Sequence, residues 1–187
     1  MIQLYTGRLV IRDHLPEDFE CMHRLLSDAA AMYYLDDIRT RTPDETRQNL
    51  ETALSENTRP DREKYFFAIL ERETGRYAGE IGYTVNVKTP KGHMAGLGYF
   101  LLPELHGRGI ATEAAREVLR FAFEEGGVVK VETGCIRENI ASEAVMKKLG
   151  MKKEADLRSH VWHDGRFKDR VEYGLLKEDW AKIHQSI

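Results

Sequence analysis

The chain is poor in cysteine, in proline and in long apolar runs, and each shortage removes a class of protein. Only Cys21 and Cys135 occur among 187 residues. Two thiols cannot build the disulfide framework of a small secreted domain, and no Cys/His set has zinc-site spacing, so no metal is expected. The two fall on a predicted helix and a predicted buried strand, which implies free core thiols in a reducing compartment. No apolar stretch approaches the roughly 20 residues needed to cross a bilayer. The N-terminus lacks the basic, apolar and small-residue succession of a secretory signal, and a cytoplasmic location is expected. Charge of one sign is scarce too. With 28 Lys+Arg against 31 Asp+Glu the net charge is −3, which gives no electrostatic reason to expect nucleic acid or a membrane as partner. There is no repeat, low-complexity segment or Pro/Ser-rich linker. One domain over residues 1–187 is expected, long enough to bury a sizeable core.

Periodicity then orders the chain. Arg8 to Arg12 alternates as a half-buried strand does. Pro16 to Ser27 carries Phe19, Met22, Leu25 and Leu26 at helical spacing. Thr42-Pro43-Asp44-Glu45 reads as a capping box opening a helix to about Asn57. Tyr65–Glu71, Tyr77–Val87 and His93–Leu102 read as three strands in meander. A long amphipathic helix from Arg108 to Glu124 follows, with Ile110, Ala114, Ala115, Val118, Leu119 and Ala122 on one face. Val128–Ile136 is a strand and Asn139–Leu149 a helix. Strands near Glu154–Trp162 and Phe167–Leu176 flank an Asp164-Gly165 hairpin turn. The order argues for an α/β (α+β) fold, a mixed sheet of about seven strands with helices on its faces.

One junction carries the chemistry. An apolar run ends at Leu101-Leu102-Pro103-Glu104-Leu105, and His106-Gly107-Arg108-Gly109-Ile110-Ala111-Thr112 then opens the long helix. The first N–H groups of a helix have no partner within it, and the macrodipole makes that end electropositive. Gly107 and Gly109 have no Cβ to keep an anion away, and Arg108 adds a charged donor. The junction is not a Walker A loop, because no Gly-Lys-Ser/Thr follows, and it lacks the third glycine of a dinucleotide fingerprint. It suits a diphosphate.

The same residues resemble the pyrophosphate-binding Gln/Arg-x-x-Gly-x-Gly/Ala motif of the GNAT acetyltransferases. Downstream, Asn139-Ile140-Ala141-Ser142 and Lys148-Leu149-Gly150-Met151 are similar to the Asn-x-x-Ser…Lys-Leu-Gly-Phe signature of that superfamily's ribosomal-protein N-α-acetyltransferase branch. Thr6-Gly7-Arg8-Leu9-Val10-Ile11-Arg12 looks like its first strand. Trp162 to Arg170 and Tyr173-Gly174-Leu175-Leu176 look like its closing hairpin. The resemblance implies a mostly antiparallel sheet whose strands around 97–102 and 128–136 splay apart to take a pantetheine arm.

The resemblance further implies acetyl transfer from acetyl-CoA to a primary amine, an α-amine of a protein N-terminus in this branch. It would put the diphosphate on Gly107, Arg108, Gly109, Ile110, Ala111 and Thr112, and the pantetheine amides on the backbone of Tyr99, Phe100 and Leu101, as an added strand. Asn139 would contact the pantetheine arm and Ser142 would serve the departing thiolate. A backbone N–H near Leu101 would stabilise the oxyanion. Met146 stands where many GNAT enzymes carry a tyrosine, Gly96 where the branch often has an acid, and His106 where Gln or Arg is common. Glu104 lies near the branch's base glutamate, and Glu80 could act through water. A small amine acceptor and a non-catalytic acyl-CoA-binding domain are the alternatives. Monomer or homodimer is expected.

Overall fold

Leu9, Ile11 and Asp13 are buried while Val10 and Arg12 are half-buried, the period-two pattern of a strand with one face on a core. The structure is a computed structural model and describes residues 1–184. Among the described residues, eight strands and five helices follow one another: β1 (Gln3–Tyr5), β2 (Leu9–Asp13), α1 (Phe19–Ser27), α2 (Pro43–Glu56), β3 (Lys64–Glu71), β4 (Tyr77–Thr89), β5 (Gly92–Leu101), α3 (Ile110–Glu124), β6 (Val128–Ile136), α4 (Ile140–Lys148), β7 (Lys152–His163), β8 (Arg166–Leu176) and α5 (Lys177–His184). The strand order is β1-β2-β3-β4-β5-β6-β8-β7. The β5–β6 pair is parallel, because α3 carries the chain back to the same end before β6 begins. The β1–β2, β2–β3, β3–β4, β6–β8 and β7–β8 pairs are antiparallel.

The expected mixed, mostly antiparallel sheet is present, with differences at element ends. The three-residue β1 is too short to show a periodicity and raises the strand count above seven. Helix α3 begins at Ile110 rather than Arg108, because Gly107 and Gly109 both hold positive φ (74° and 77°). The first turn of the Pro16–Ser27 segment is 3-10, and α1 begins at Phe19. The Thr42 hydroxyl accepts from the Glu45 N–H while the Glu45 carboxylate reaches back, so the predicted capping box opens α2. Asp164 and Gly165 both have positive φ, as a two-residue hairpin turn of type I′ requires.

The chain packs as two compact units, residues 1–84 with 98–118, and residues 85–97 with 119 onward. In the first, Leu9, Ile11, Phe67, Ile69 and Ile81 are buried from the sheet, and Ala114, Ala115 and Val118 from α3. Met22, Leu26, Met32 and Leu50 form a second cluster, on which Phe100 packs. In the second, Leu119, Phe123, Val131, Met146, Val171, Leu175 and Trp180 are buried, with Phe123 and Trp180 rings 5.9 Å apart. The β5–β6 pairing runs from His93–Val128 to Gly96–Glu132, while β5 extends to Leu101 and β6 to Ile136.

Gly79 fixes the β4–β5 approach. A Cβ there would lie close against the Phe100 carbonyl oxygen and 2.8 Å from Leu101 Cα, both backbone atoms with nowhere to go. Gly79→Val is therefore expected to destabilise the protein by about 2 kcal/mol or more, as overpacking does. Gly7→Val, where no atom lies within 4 Å of the new Cβ, should cost far less. Urea titrations of both variants check the difference.

Candidate active site

The glycine junction lies in the first unit and is built from the end of β5. Leu101 and Leu102 are buried, and a 3-10 turn over Pro103–Leu105 redirects the chain. The His106 imidazole bonds the Leu101 carbonyl oxygen at 3.0 Å through Nε2, which makes that nitrogen the donor. His106 therefore ties the loop to the strand end. A Cβ on Gly107 would meet nothing within 4 Å, so the backbone there is open to an approaching group. Ile110 and Thr112 are buried, and Ala111 is half-buried at the surface of the first turn.

A brace from the far end of the sequence holds this turn. The Arg8 guanidinium donates to Glu113 from Nε at 2.7 Å and to the Arg108 carbonyl from Nη1 at 3.1 Å. The Thr6 hydroxyl donates to the other Glu113 oxygen at 2.5 Å. Burial opposes ionisation of Glu113, but the Thr6 and Arg8 hydrogen bonds outweigh it and hold the carboxyl below its ordinary range. Arg8 is spent on Glu113 at 2.6 Å, whereas the Arg108 side chain is exposed and has no ion-pair partner among the described residues. Nothing in the local spacing announces this brace, since its partners are 105 residues apart.

The two carboxylates considered as bases stand in opposite environments. Glu104 takes hydrogen bonds from Arg24 at 2.6 Å and Arg76 at 2.9 Å. Its own backbone N–H, and then those two guanidiniums, hold its carboxyl below the usual range, which makes it a weak proton acceptor. Burial pushes the Glu80 carboxyl up, with the Tyr77 hydroxyl donating to it at 2.8 Å and His14 Nε2 3.9 Å away. Glu80 is the more basic of the two, but it sits inside a buried polar cluster. Next to it, Asp18 takes both arms of the Arg12 guanidinium at 2.7 Å.

In the second unit, Asn139 is the N-cap of α4, its side-chain oxygen accepting from the Ser142 N–H at 3.1 Å. The Ser142 hydroxyl hydrogen-bonds the Cys135 thiol, which burial pushes up in pKa. Tyr173 of β8 donates its hydroxyl to Glu143 at 2.7 Å, pinning the first turn of α4 to the sheet. This pin was not visible in the sequence, because β8 and α4 meet only in the fold. Met146 is fully buried and serves the core. Beside Gly96 lies the Asn86 amide, 3.1 Å from where a Cβ would stand, so an amide takes part of the space of the missing side chain. Cys135 is a buried free thiol as expected, but Cys21 is exposed: it lies on the outward face of α1, while Met22, Leu25 and Leu26 face in.

Residues 8–152 match the acetyltransferase (GNAT) domain family. The chain is a GNAT acetyltransferase. Over 179 residues the GNAT chain is 27% identical to an uncharacterized N-acetyltransferase, YnaD, of Bacillus subtilis strain 168, covering 96% of this chain and 99% of that protein. Its fold superposes on the ribosomal-protein-S5-alanine acetyltransferase from Vibrio fischeri with a TM-score of 0.83 at 18% identity, covering 96% and 99% of the two chains. It superposes on the spermidine N-acetyltransferase from Vibrio cholerae, solved in complex with CoA and spermine, with a TM-score of 0.81 at 17% identity, covering 94% and 99%. The GNAT protein is thus an acyltransferase that uses acetyl-CoA and acetylates nitrogen, and the reading as a binding-only domain gives way.

The pin on α4 makes a pH-dependent contribution. Glu143 is lowered to about 2, first by the Tyr173 hydrogen bond, and Tyr173 is raised to about 12, first by burial and then by Glu143. A depressed carboxyl stabilises the fold above its unfolded pKa, and that stability disappears as pH falls towards 2. A raised phenol stabilises it below pH 10, and that is lost as pH rises through about 12. In Tyr173→Phe, the Glu143 carboxyl is expected to titrate closer to its ordinary range. Carbon NMR of the glutamate side chains across pH 2–6 reads this shift.

Proposed function

We propose that this chain acetylates α-amines, those of protein N-termini before those of small amino compounds. The observation that carries the cofactor half is the turn at Gly107 and Gly109, where both glycines hold positive φ and a Cβ would meet nothing within 4 Å at Gly107 and only the Arg8 guanidinium, at 3.6 Å, at Gly109. In this reading the acetyl-CoA diphosphate rests on the N–H groups of Gly107, Arg108, Gly109, Ile110, Ala111 and Thr112. The backbone of Tyr99, Phe100 and Leu101 pairs with the pantetheine amides, and Asn139 contacts the same arm.

The chemistry then follows from those assignments. The neutral amine attacks the thioester carbonyl, forming the N–C bond and an oxyanion that a backbone N–H near Leu101 stabilises. Collapse breaks the C–S bond, the Ser142 hydroxyl donates a hydrogen bond to the departing thiolate, and the thiolate takes its proton from water. Glu104 is occupied by two arginines, so the amine loses its proton to water rather than to a strong base. That supports an acceptor whose amine is partly neutral at pH 7, as an α-amine near ~7.7–8.0 is and a lysine amine near ~10.4 is not. Relatives of the same fold act on a ribosomal protein in one case and on spermidine in another, so the fold alone does not choose between the acceptor classes.

Gly109→Val should weaken acetyl-CoA binding at least tenfold, about 1.4 kcal/mol, by calorimetry. Gly165→Val introduces comparable backbone strain at a remote turn, with φ +72° against +77°, and should leave affinity unchanged. On peptides with both amines free, fragmentation mass spectrometry should find the acetyl group predominantly on the α-amine, with kcat/KM rising with pH towards a plateau near pH 8. Predominant acetylation of lysine at neutral pH would overturn the acceptor assignment and leave the family membership standing.

A further inference from the structure

Near the end of β6 the buried Cys135 thiol lies against the first turn of α4, a group that the acetyl transfer described above does not use. Its Sγ–H donates to the Asn139 carbonyl oxygen at 3.7 Å, and its sulfur takes the Ser142 hydroxyl. The same carbonyl oxygen accepts the Glu143 N–H at 3.1 Å, the first intrahelical bond of α4. A carbonyl oxygen has two lone pairs, and both are then used. The Asn139 side-chain oxygen is taken as well, by the Ser142 N–H at 3.1 Å. Tyr173 fastens the turn separately, through Glu143 at 2.7 Å, so its position does not hang on the thiol.

That count of lone pairs matters for Ser142. A serine in a helix readily turns its hydroxyl back onto a carbonyl three or four residues earlier. Three residues before Ser142 stands the Asn139 carbonyl, which the Cys135 thiol and the Glu143 N–H have filled. The hydroxyl rests on sulfur instead, a weak acceptor, and little is lost when the proton turns from it to a stronger one. Ser142 is half-buried, so part of it faces solvent. We propose that Cys135 is a positioning residue for acetyl transfer: by occupying the Asn139 carbonyl and offering sulfur in return, it keeps the Ser142 hydroxyl proton on a partner that it leaves readily for the departing thiolate of CoA. The inference rests on the reading of Ser142 as the thiolate's hydrogen-bond donor and deepens it. A thiolate is a far stronger acceptor than a thiol, so the exchange runs downhill as the C–S bond breaks. A bond gained in that way is stronger in the transition state than in the ground state, which is the kind that raises kcat. An oxygen in place of the sulfur would hold the proton more firmly. With no polar atom there at all, the Asn139 carbonyl would be released to capture it.

A double-mutant cycle read by single-turnover kinetics tests it. Ser142→Ala is expected to slow acetyl transfer about tenfold or more, as the loss of a bond made mainly in the transition state does. Cys135→Ala should slow it about threefold or more while acetyl-CoA affinity stays within about twofold of wild type. Cys135→Ser keeps a donor for the Asn139 carbonyl and an acceptor for Ser142, and its rate should fall between those of Cys135→Ala and wild type. In the Ser142→Ala background, Cys135→Ala should change the rate by less than about 1.5-fold, since no hydroxyl is left to position. Thermal melts check that each variant is folded. If Cys135→Ala melts too low to assay, the cycle is run with Cys135→Ser, and the same non-additivity is expected. Equal slowing by the Cys135 change in both backgrounds, or no slowing in either, overturns the inference and leaves the role of Ser142 standing. A Ser142→Ala rate equal to wild type brings down the reading of Ser142, and the inference with it.

Discussion

The first turn of a helix has backbone N–H groups that the helix itself cannot pair, and at α3 the chain enters that turn through two glycines of positive φ. A Cβ at either position would resist the left-handed backbone that turns the chain into the helix. An open turn needs support from behind, and Arg8 and Thr6 supply it through Glu113. The acidic residue on the first turn also suits the helix dipole. Its carboxylate is taken up by the brace, which fixes the first turn to the start of β2.

Behind the sheet the first unit buries more ionisable groups than stability alone would favour. Arg12 and Asp18 are paired by both guanidinium arms, and Asp13 accepts from the Ile2 N–H and pairs with Arg62 at 2.8 Å. Glu80, held by Tyr77 and near His14, is the member that burial pushes towards neutrality. Each such group is costly to bury unpaired, so the network ties β2, the turn before α1 and β4 into one geometry. The Arg24–Glu104–Arg76 bridge does the same for the turn ahead of the glycines, at the surface. The polar groups around that turn are held by one another, as fasteners between elements.

The second unit meets a related demand by other means. Asn139 caps α4, Tyr173 pins its first turn through Glu143, and the Ser142 hydroxyl is steered towards Cys135. A serine so placed loses rotational freedom in the folded chain. The acceptor pocket is a separate matter, since proteins with this fold and different acceptors share the same sheet and helices.

Most of the architecture was legible in the residues. The Thr42 to Glu45 box, the Asp164-Gly165 turn, the amphipathic α3 and the strand at Val128–Ile136 are each set by neighbours a few positions apart, and local rules read them correctly. The glycine turn and the Asn139 to Met151 signature were legible for the same reason, because backbone freedom and helix capping are local properties. The three-residue β1 was not, since so short a segment is a strand only by virtue of pairing with β2. The Cys21 side chain turned outward because the sequence marks a helical face but not which neighbours will cover it. The sequence by itself determined the elements, the family and the glycine turn that leads into α3. Only the tertiary structure decided that Glu104 is tied to two arginines, that Glu80 is buried and raised, that Arg8 braces Glu113, and that Tyr173 fastens α4. These depend on groups brought together from distant parts of the chain, where proximity and burial, not residue type, set the charge and strength of each side chain.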